Sequence, residues 1–234
     1  MTTFALVHGG WHGAWCWERV VPLLEERGHV AVAVDLPCDD PAAGLDTYAE
    51  LVCQSLAGAD DDVIVVGHSL GGLTIPLVAA RRPVRHLIYL CALVPDVGRS
   101  WMDQFADEPE MMCPGWNAGL SEPDSHRRTT WIDPHRTRKL LYDDCDESTV
   151  ESAIARIRPQ VGLGSTPFAL AEFPSASATS VICAEDRMVA CDWAQRTARD
   201  RLGAEIVTLP GSHSPFFSRP DAVADILSNV ARNG

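Results

Sequence analysis

The sequence contains very little lysine. Lys139 is the single lysine among 19 basic residues, and 32 acidic residues give a formal net charge of -13. Proteins that bind nucleic acids in general neutralise phosphates with clustered Lys and Arg. The acidic excess therefore excludes general nucleic-acid binding, and it favours a role in solubility over attraction of a cationic partner.

Paired cysteines and long apolar runs are also missing. The eight cysteines include no C-x-x-C pair, so neither a zinc site nor a disulfide framework is supported. No apolar run approaches the length of a bilayer span, and no basic segment followed by an apolar one opens the chain. We expect a cytoplasmic protein with free thiols that has no metal or cofactor and does not bind membranes.

The remaining composition is that of a folded domain with one core: 234 residues, 46% hydrophobic and 22% charged. Apolar, β-branched runs alternate with amphipathic helical patterns. The predicted strands are 4–8, 30–34, 63–67, 87–93, 180–183 and 206–209, and the predicted helices are 14–27, 47–57, 70–82, 192–202 and 221–231. This alternation predicts an α/β fold with an open, mostly parallel sheet flanked by helices.

One long stretch interrupts the alternation. Residues 96–178 lack strand signals and mix aromatic residues and methionine with proline, glycine and charges. A structureless loop of this length would be implausible in a compact domain. We therefore predict a mainly helical cap at 96–178, inserted into a core formed by 1–95 and 179–234. No residue specifies an oligomer, so a homodimer stays open.

A serine follows the third predicted strand in a pattern typical of catalysis. Gly67-His68-Ser69-Leu70-Gly71 comes directly after an apolar strand and before a helix. In this context G-x-S-x-G predicts a nucleophile elbow, a sharp turn that presents the serine at the carboxyl end of the strand.

A serine nucleophile needs a base, and the base needs an orienting carboxylate. His213 follows the last predicted strand and is the expected base. Asp186 follows the strand before it and is the expected acid, with Asp96 as the alternative. His68 is expected to pack within the elbow rather than to titrate. Two backbone N–H groups, of Gly10 in the turn after the first strand and of Leu70 after the nucleophile, are the expected oxyanion donors.

These motifs resemble the α/β-hydrolase superfamily, and within it the branch of plant methylesterases, hydroxynitrile lyases and small bacterial esterases. The resemblance rests on residues 6–17, 67–72, 183–186 and 211–213; it covers the core almost throughout and is weak in the cap. It implies a triad of Ser69, Asp186 and His213. The lyases of this branch carry threonine and lysine where this sequence has Gly9 and Ser214, so the resemblance implies an esterase.

We expect a serine hydrolase that cleaves a carboxylic ester of a small or medium apolar substrate through an acyl-enzyme. Trp11, Trp116 and Trp131 are the expected substrate-binding residues, although the cap aromatics could equally form the cap's own core. Two alternatives stay open on this scaffold. One is a non-hydrolytic enzyme, such as a lyase, cyclase or decarboxylase, and the other is a ligand-binding receptor with weak turnover. Methyl esters, lactones, thioesters and natural-product esters are not distinguished.

Overall fold

The computed structural model describes residues 1–164 and 166–233. Within these residues, six parallel strands form one sheet, and from one edge to the other they are Val30–Val34, Thr3–Val7, Val63–His68, His86–Leu90, Ser177–Cys183 and Glu205–Leu209. The strands are β1 (Thr3–Val7), β2 (Val30–Val34), β3 (Val63–His68), β4 (His86–Leu90), β7 (Ser177–Cys183) and β8 (Glu205–Leu209). A second, antiparallel pair joins β5 (Arg128–Thr129) to β6 (Gln160–Val161).

Helices connect the strands and cover the sheet. They are α1 (Val21–Glu26), α2 (Leu45–Ser55), α3 (Ile75–Ala79), α4 (Trp101–Asp107), α5 (Pro134–Leu141), α6 (Glu147–Ile154), α7 (Cys191–Asp200), α8 (Pro215–Ser218) and α9 (Pro220–Asn233). Helix α1 packs against α9, and α2 packs against α3. Strands β3 and β4 are buried along their whole length, as expected when both faces of a parallel sheet are covered. The predicted fold class is confirmed.

No helix within the described parts of the chain has the combination of length and apolar character that crossing a bilayer requires.

Two predicted helices are broken where proline occurs. The prediction of one helix over 14–27 is wrong: a 3₁₀ helix, Ala14–Trp17, precedes α1, which has Pro22 in its first turn. The predicted helix over 70–82 is likewise a 3₁₀ helix, Ser69–Leu73, followed by the shorter α3, which contains Pro76. Proline has no N–H to continue the hydrogen-bond ladder, so each helix restarts at its proline.

The fourth strand is shorter than predicted. It ends at Leu90 rather than at residue 93 because Cys91 has a φ of 46°, in the left-handed region, which a strand cannot contain. The chain then turns towards the elbow, where the Leu93 N–H donates to the Ser69 carbonyl oxygen at 3.0 Å.

The segment predicted as a cap contains α4, α5 and α6, together with β5 and β6. The two short strands were not predicted, because a pair of residues is too short to show an alternating pattern. Strand β7 begins at Ser177, two residues before the predicted core boundary at 179. Side chains of Ser100, Asp133 and Asp146 accept backbone N–H groups at the starts of the three helices and stabilise them.

Because the six strands run in one direction, their carboxyl ends meet at one edge of the sheet. In the register of the sheet, Val7 of β1 pairs with Gly67 of β3, and Cys183 of β7 pairs with Leu209 of β8. The loops that follow β1, β3, β7 and β8 therefore leave the sheet at the same edge, where ligands bind in open α/β sheets.

Candidate active site

Ser69 lies on a sharp turn between β3 and the following 3₁₀ helix. Its φ is 50°, a left-handed conformation that side chains other than glycine seldom adopt. The turn depends on flanking glycines, since a Cβ atom at Gly67 would lie 2.7 Å from the Gly71 carbonyl oxygen, and one at Gly71 would lie 2.8 Å from the His8 carbonyl oxygen. The sequence of the elbow thus allows strand, turn and helix to approach closely enough to hold Ser69 in a strained position.

His213 and Asp186 form a buried pair. The His213 Nδ1 lies 2.9 Å from Asp186 Oδ2 and 3.0 Å from Oδ1. Asp186 Oδ1 also accepts the backbone N–H groups of Met188 at 2.7 Å and Val189 at 3.1 Å, which hold the carboxylate in one orientation. A carboxylate can only accept, so the neutral form of the imidazole carries its proton on Nδ1 and has its lone pair on Nε2.

The alternative acid and two further histidines that follow Ser69 in sequence have other surroundings. Asp96, the alternative acid, has Arg99 as its charged neighbour, with 3.8 Å between the carboxylate and the guanidinium. His126 and His135 in the cap are exposed. The geometry thus brings together the pair expected from the sequence.

His68 connects the elbow to the loop that carries His213. Its Nε2 donates to the His213 carbonyl oxygen at 2.8 Å, and the two ring centroids are 4.7 Å apart. Burial lowers the pKa of His68 well below its usual value, so the ring stays neutral, as the sequence predicted for a packing residue. Among the hydrogen bonds of the described residues, none joins the Ser69 hydroxyl directly to the His213 imidazole. Such bonds are often long in the absence of substrate.

The turn after β1, from Gly9 to Gly13, is here called the oxyanion loop. The His8 Nδ1 donates to the Gly9 carbonyl oxygen at 2.8 Å, while its Nε2 accepts the Leu36 N–H at 2.9 Å. In a trans peptide the C=O and the next N–H point in opposite directions. The Gly10 N–H is therefore directed away from His8, and burial, which lowers the pKa of His8 to about 4, keeps this ring neutral at pH 7.

Gly10 and Leu70, the two expected oxyanion donors, are neighbours. A Cβ atom at Gly10 would lie 3.7 Å from Leu70 Cδ2. Leu70 occupies the first turn of the 3₁₀ helix, where backbone N–H groups have no acceptor within the helix. Both amides are thus placed to act as donors, and the role of each stays a prediction.

The three tryptophans expected to bind substrate separate into two groups. Trp11 and Trp131 meet edge to face, with ring centroids 5.4 Å apart, beside the oxyanion loop. Trp116 instead packs on Phe105 at 6.1 Å, and Phe105 stacks on Trp101 at 6.0 Å. The cap aromatics therefore include a cluster of their own, whereas Trp11 directly follows Gly10, an expected donor, and Trp131 packs on Trp11.

Four residues around the oxyanion loop were not identified from the sequence. His12 Nδ1 donates to the Gly10 carbonyl oxygen at 2.8 Å, and the Tyr142 hydroxyl donates to His12 Nε2 at 2.8 Å. Burial lowers the pKa of His12 to about 3. Arg158 and Gln160 contact the loop from the cap. The H-G-G-W-H-G pattern is a signal for His12, whereas no sequence feature marks the three partners contributed by the cap.

No group of three or more His, Cys, Asp or Glu side chains in residues 1–164 and 166–233 is arranged to hold a metal ion. The eight cysteines are free thiols. The groups at this edge of the sheet are of the types that nucleophilic catalysis uses: a strained serine, a histidine paired with a buried carboxylate, and backbone amides.

A parallel sheet flanked by helices, with a strand–turn–helix elbow at its carboxyl edge, defines the α/β-hydrolase fold class. Comparison with known sequences then identifies the family. The profile of the Alpha/beta hydrolase family matches residues 4–226. The chain belongs to the alpha/beta hydrolase family.

Several proteins resemble the chain over nearly its whole length. Methylesterase 9 of Arabidopsis thaliana is 26% identical over 255 residues, covering 99% of this chain and 98% of the relative. Norfluorocurarine synthase 2 of Strychnos nux-vomica is 28% identical over 256 residues, covering 97% and 94%. The crystal structure of a pyrethroid hydrolase from Sphingobium faniae JZ-2 superposes with a TM-score of 0.83 at 26% identity, covering 99% of this chain and 98% of that one. The expected resemblance and the esterase type of enzyme are confirmed.

Proposed function

We propose that the protein hydrolyses a carboxylic ester of a small or medium apolar substrate through an acyl-enzyme on Ser69. The observation that carries this proposal is the buried His213–Asp186 pair, whose Nδ1-to-carboxylate distance of 2.9 Å leaves His213 Nε2 free to accept a proton. His68 ties the backbone of His213 to the elbow that carries Ser69. General-base activation of a serine requires this tautomer.

The chemistry follows from these positions. The Ser69 Oγ attacks the ester carbonyl carbon, and the hydroxyl proton moves to His213 Nε2. The negative charge that develops on the carbonyl oxygen is stabilised by the N–H groups of Gly10 and Leu70. His213 then protonates the departing alcohol oxygen. Water, deprotonated by the same nitrogen, attacks the acyl-enzyme and releases the carboxylic acid and Ser69.

The substrate class is supported by the surroundings of the oxyanion loop and by the relatives. Trp11 directly follows Gly10 and packs edge to face on Trp131, so its indole offers an apolar ring next to Gly10 that suits an uncharged acyl or alcohol group. Methylesterase 9 acts on esters by its name, and the pyrethroid hydrolase hydrolyses pyrethroids by its title. Trp116 belongs to the proposed binding surface only if the aromatic cluster of the cap extends to the substrate.

A non-hydrolytic reaction is the second candidate, favoured by one observation: a synthase is among the relatives that match the chain almost end to end. Cyanohydrin cleavage by the known route of this branch is disfavoured. A Cβ at Gly9 would lie 2.8 Å from both His68 Nδ1 and Ser69 Cβ, so a threonine there would require the elbow to move. A serine, Ser214, follows the histidine where those lyases have lysine.

Hydrolysis of a short p-nitrophenyl ester tests the proposal. We expect the unaltered protein to release p-nitrophenol and Ser69→Ala to lose about 10⁶-fold in kcat, as when such triads are dismantled. Ester hydrolysis retained by a folded Ser69→Ala protein would contradict the assignment. An unaltered protein that turns over no ester, lactone or thioester would favour the non-hydrolytic candidate.

A further inference from the structure

The oxyanion loop contains a second strained residue. Trp11, directly after Gly10, has a φ of 62°. A residue with a large side chain adopts the left-handed region only when its surroundings impose it. The φ of Trp11 sets the angle between the Gly10–Trp11 peptide and the peptide that follows it, so the groups that hold these two peptides also fix the path of the chain next to the expected oxyanion donor.

One side-chain and one backbone contact from the cap hold the two peptide groups of Trp11. The Trp11 N–H donates to the side-chain Oε1 of Gln160 at 3.4 Å, and the Trp11 carbonyl oxygen accepts the Arg158 N–H at 2.9 Å. On the opposite side, His12 Nδ1 donates to the Gly10 carbonyl oxygen. The peptide between Gly10 and Trp11 is thus held at both ends, by a histidine of the core and by a glutamine of the cap.

Gln160 is itself fixed in one orientation. It is 5% exposed, and its Nε2 donates to the Val161 carbonyl oxygen at 2.8 Å, so the Oε1 atom faces the oxyanion loop. A Cβ atom at Gly10 would lie 3.5 Å from that Oε1. The amide therefore packs directly against Gly10.

The other strand of the cap sheet holds the indole of the same residue. Trp11 Nε1 donates to the carbonyl oxygen and the hydroxyl of Thr129, each at 3.2 Å, and Trp131 contacts the ring edge to face. Both β5 and β6 thus contact Trp11.

We propose that Gln160 is a positioning residue for ester hydrolysis: it holds Trp11 in the left-handed conformation and thereby directs the Gly10 N–H towards the oxyanion. The inference rests on the proposed function. Residues of the segment predicted as a cap thus belong to the machinery that builds the oxyanion hole.

Gln160→Met is the direct test, because it conserves the length of the side chain and removes both polar atoms. Loss of a whole oxyanion donor costs about 10²–10³ in kcat. A donor that is present but misdirected should cost about tenfold to hundredfold in kcat, with KM nearly unchanged. The matched control is Gln104→Met, the same change at another buried glutamine of the segment predicted as a cap, whose amide bonds the backbone of Val94 and Asp96 rather than the oxyanion loop. It should keep the unaltered kcat.

A double-mutant cycle separates positioning from a general loss of structure. Glycine adopts the left-handed region freely. In a Trp11→Gly background, adding Gln160→Met should therefore reduce kcat by a clearly smaller factor than it does in the unaltered protein. Equal factors in the two backgrounds would overturn the inference, as would a folded Gln160→Met protein with unaltered kcat.

Two further measurements cover a Gln160→Met protein that does not fold and separate the positioning role from the proposed function. If Gln160→Met does not fold, Thr129→Val removes one acceptor of the indole and should lower kcat by about twofold to tenfold; an unchanged kcat there counts against the inference. Ester hydrolysis by the unaltered protein and by Ser69→Ala is measured in parallel. Absent hydrolysis in the unaltered protein refutes the proposed function, whereas Ser69-dependent hydrolysis that is insensitive to Gln160 refutes only the positioning role.

Discussion

Asp186→Asn is a small change with a large expected effect. The Oδ1 of Asp186 accepts two backbone N–H groups, from Met188 at 2.7 Å and Val189 at 3.1 Å. An asparagine at this position must keep its carbonyl oxygen towards those donors, because its NH₂ group cannot accept them. The NH₂ group is then forced towards His213 Nδ1, which must become an acceptor, and the ring proton moves to Nε2.

With a proton on Nε2, His213 cannot accept the proton of Ser69. The same substitution in a serine protease triad leaves the geometry intact and lowers kcat by about 10⁴. At about 1.4 kcal/mol for each factor of ten, the expected loss of transition-state stabilisation is about 5 kcal/mol. We expect a similar loss in this protein, since its backbone donors leave the asparagine no second orientation.

The assay is steady-state hydrolysis of a p-nitrophenyl ester, with circular dichroism to check folding and NMR of the imidazole nitrogens to identify the tautomer. Glu185→Gln is the matched control: this exposed acid accepts the Gly211 N–H, a bond that the amide oxygen of glutamine can keep, so the rate should stay unaltered. A folded Asp186→Asn protein whose kcat stays within about tenfold of the unaltered value would refute the orienting role.

Three other results are expected. Burial lowers the pKa of His12 from 6.5 to about 3, so the unfolded chain binds the extra proton first; the stability from this group is full above about pH 6.5, and about 2 kcal/mol of it is lost on going down to pH 5. Burial also lowers the pKa of His8 and His68, so His12→Gln should reduce the loss seen in urea denaturation by about 2 kcal/mol without removing it entirely. His68→Leu deletes the donor to the buried His213 carbonyl oxygen and should cost about 1–3 kcal/mol in the same denaturation experiment, with a lower kcat. Gly9→Ala places a methyl group 2.8 Å from His68 Nδ1 and should cost about 1–3 kcal/mol of stability. Gly44→Ala is the control, because no atom lies within 4 Å of the new Cβ, and it should change stability by no more than about 0.5 kcal/mol. Similar thermal midpoints for the two alanine variants would contradict this difference.

The core could be predicted because its strands and turns are encoded locally. The run from Val63 to Val66 is followed at once by the elbow, and Asp186 and His213 each come a few residues after a strand. Residues that follow the strands of a parallel sheet lie together at its carboxyl edge, and this placement does not depend on the structure of the cap. A sequence pattern that joins strand, turn and helix is therefore enough to place Ser69, the proposed nucleophile, at that edge.

The support of the oxyanion loop could not be predicted, because it depends on contacts between distant residues. Gln160 is 149 positions from Trp11 in sequence, and the strand that carries it is two residues long. Tyr142, the partner of His12, directly follows helix α5. The apolar pattern of that helix predicts a buried face but does not identify the residue that the tyrosine contacts. The left-handed conformation of Trp11 is invisible in the sequence, since tryptophan has no preference for it.

Reaction with a fluorophosphonate tests most directly whether His213 activates Ser69. Such a reagent phosphonylates a serine only when a base makes it nucleophilic. Intact-mass analysis and peptide mapping of the unaltered protein should show one adduct on Ser69, with no adduct on Ser69→Ala and a strongly slowed reaction in His213→Ala. A folded protein that stays unlabelled, or that is labelled at the same rate without His213, would contradict the account.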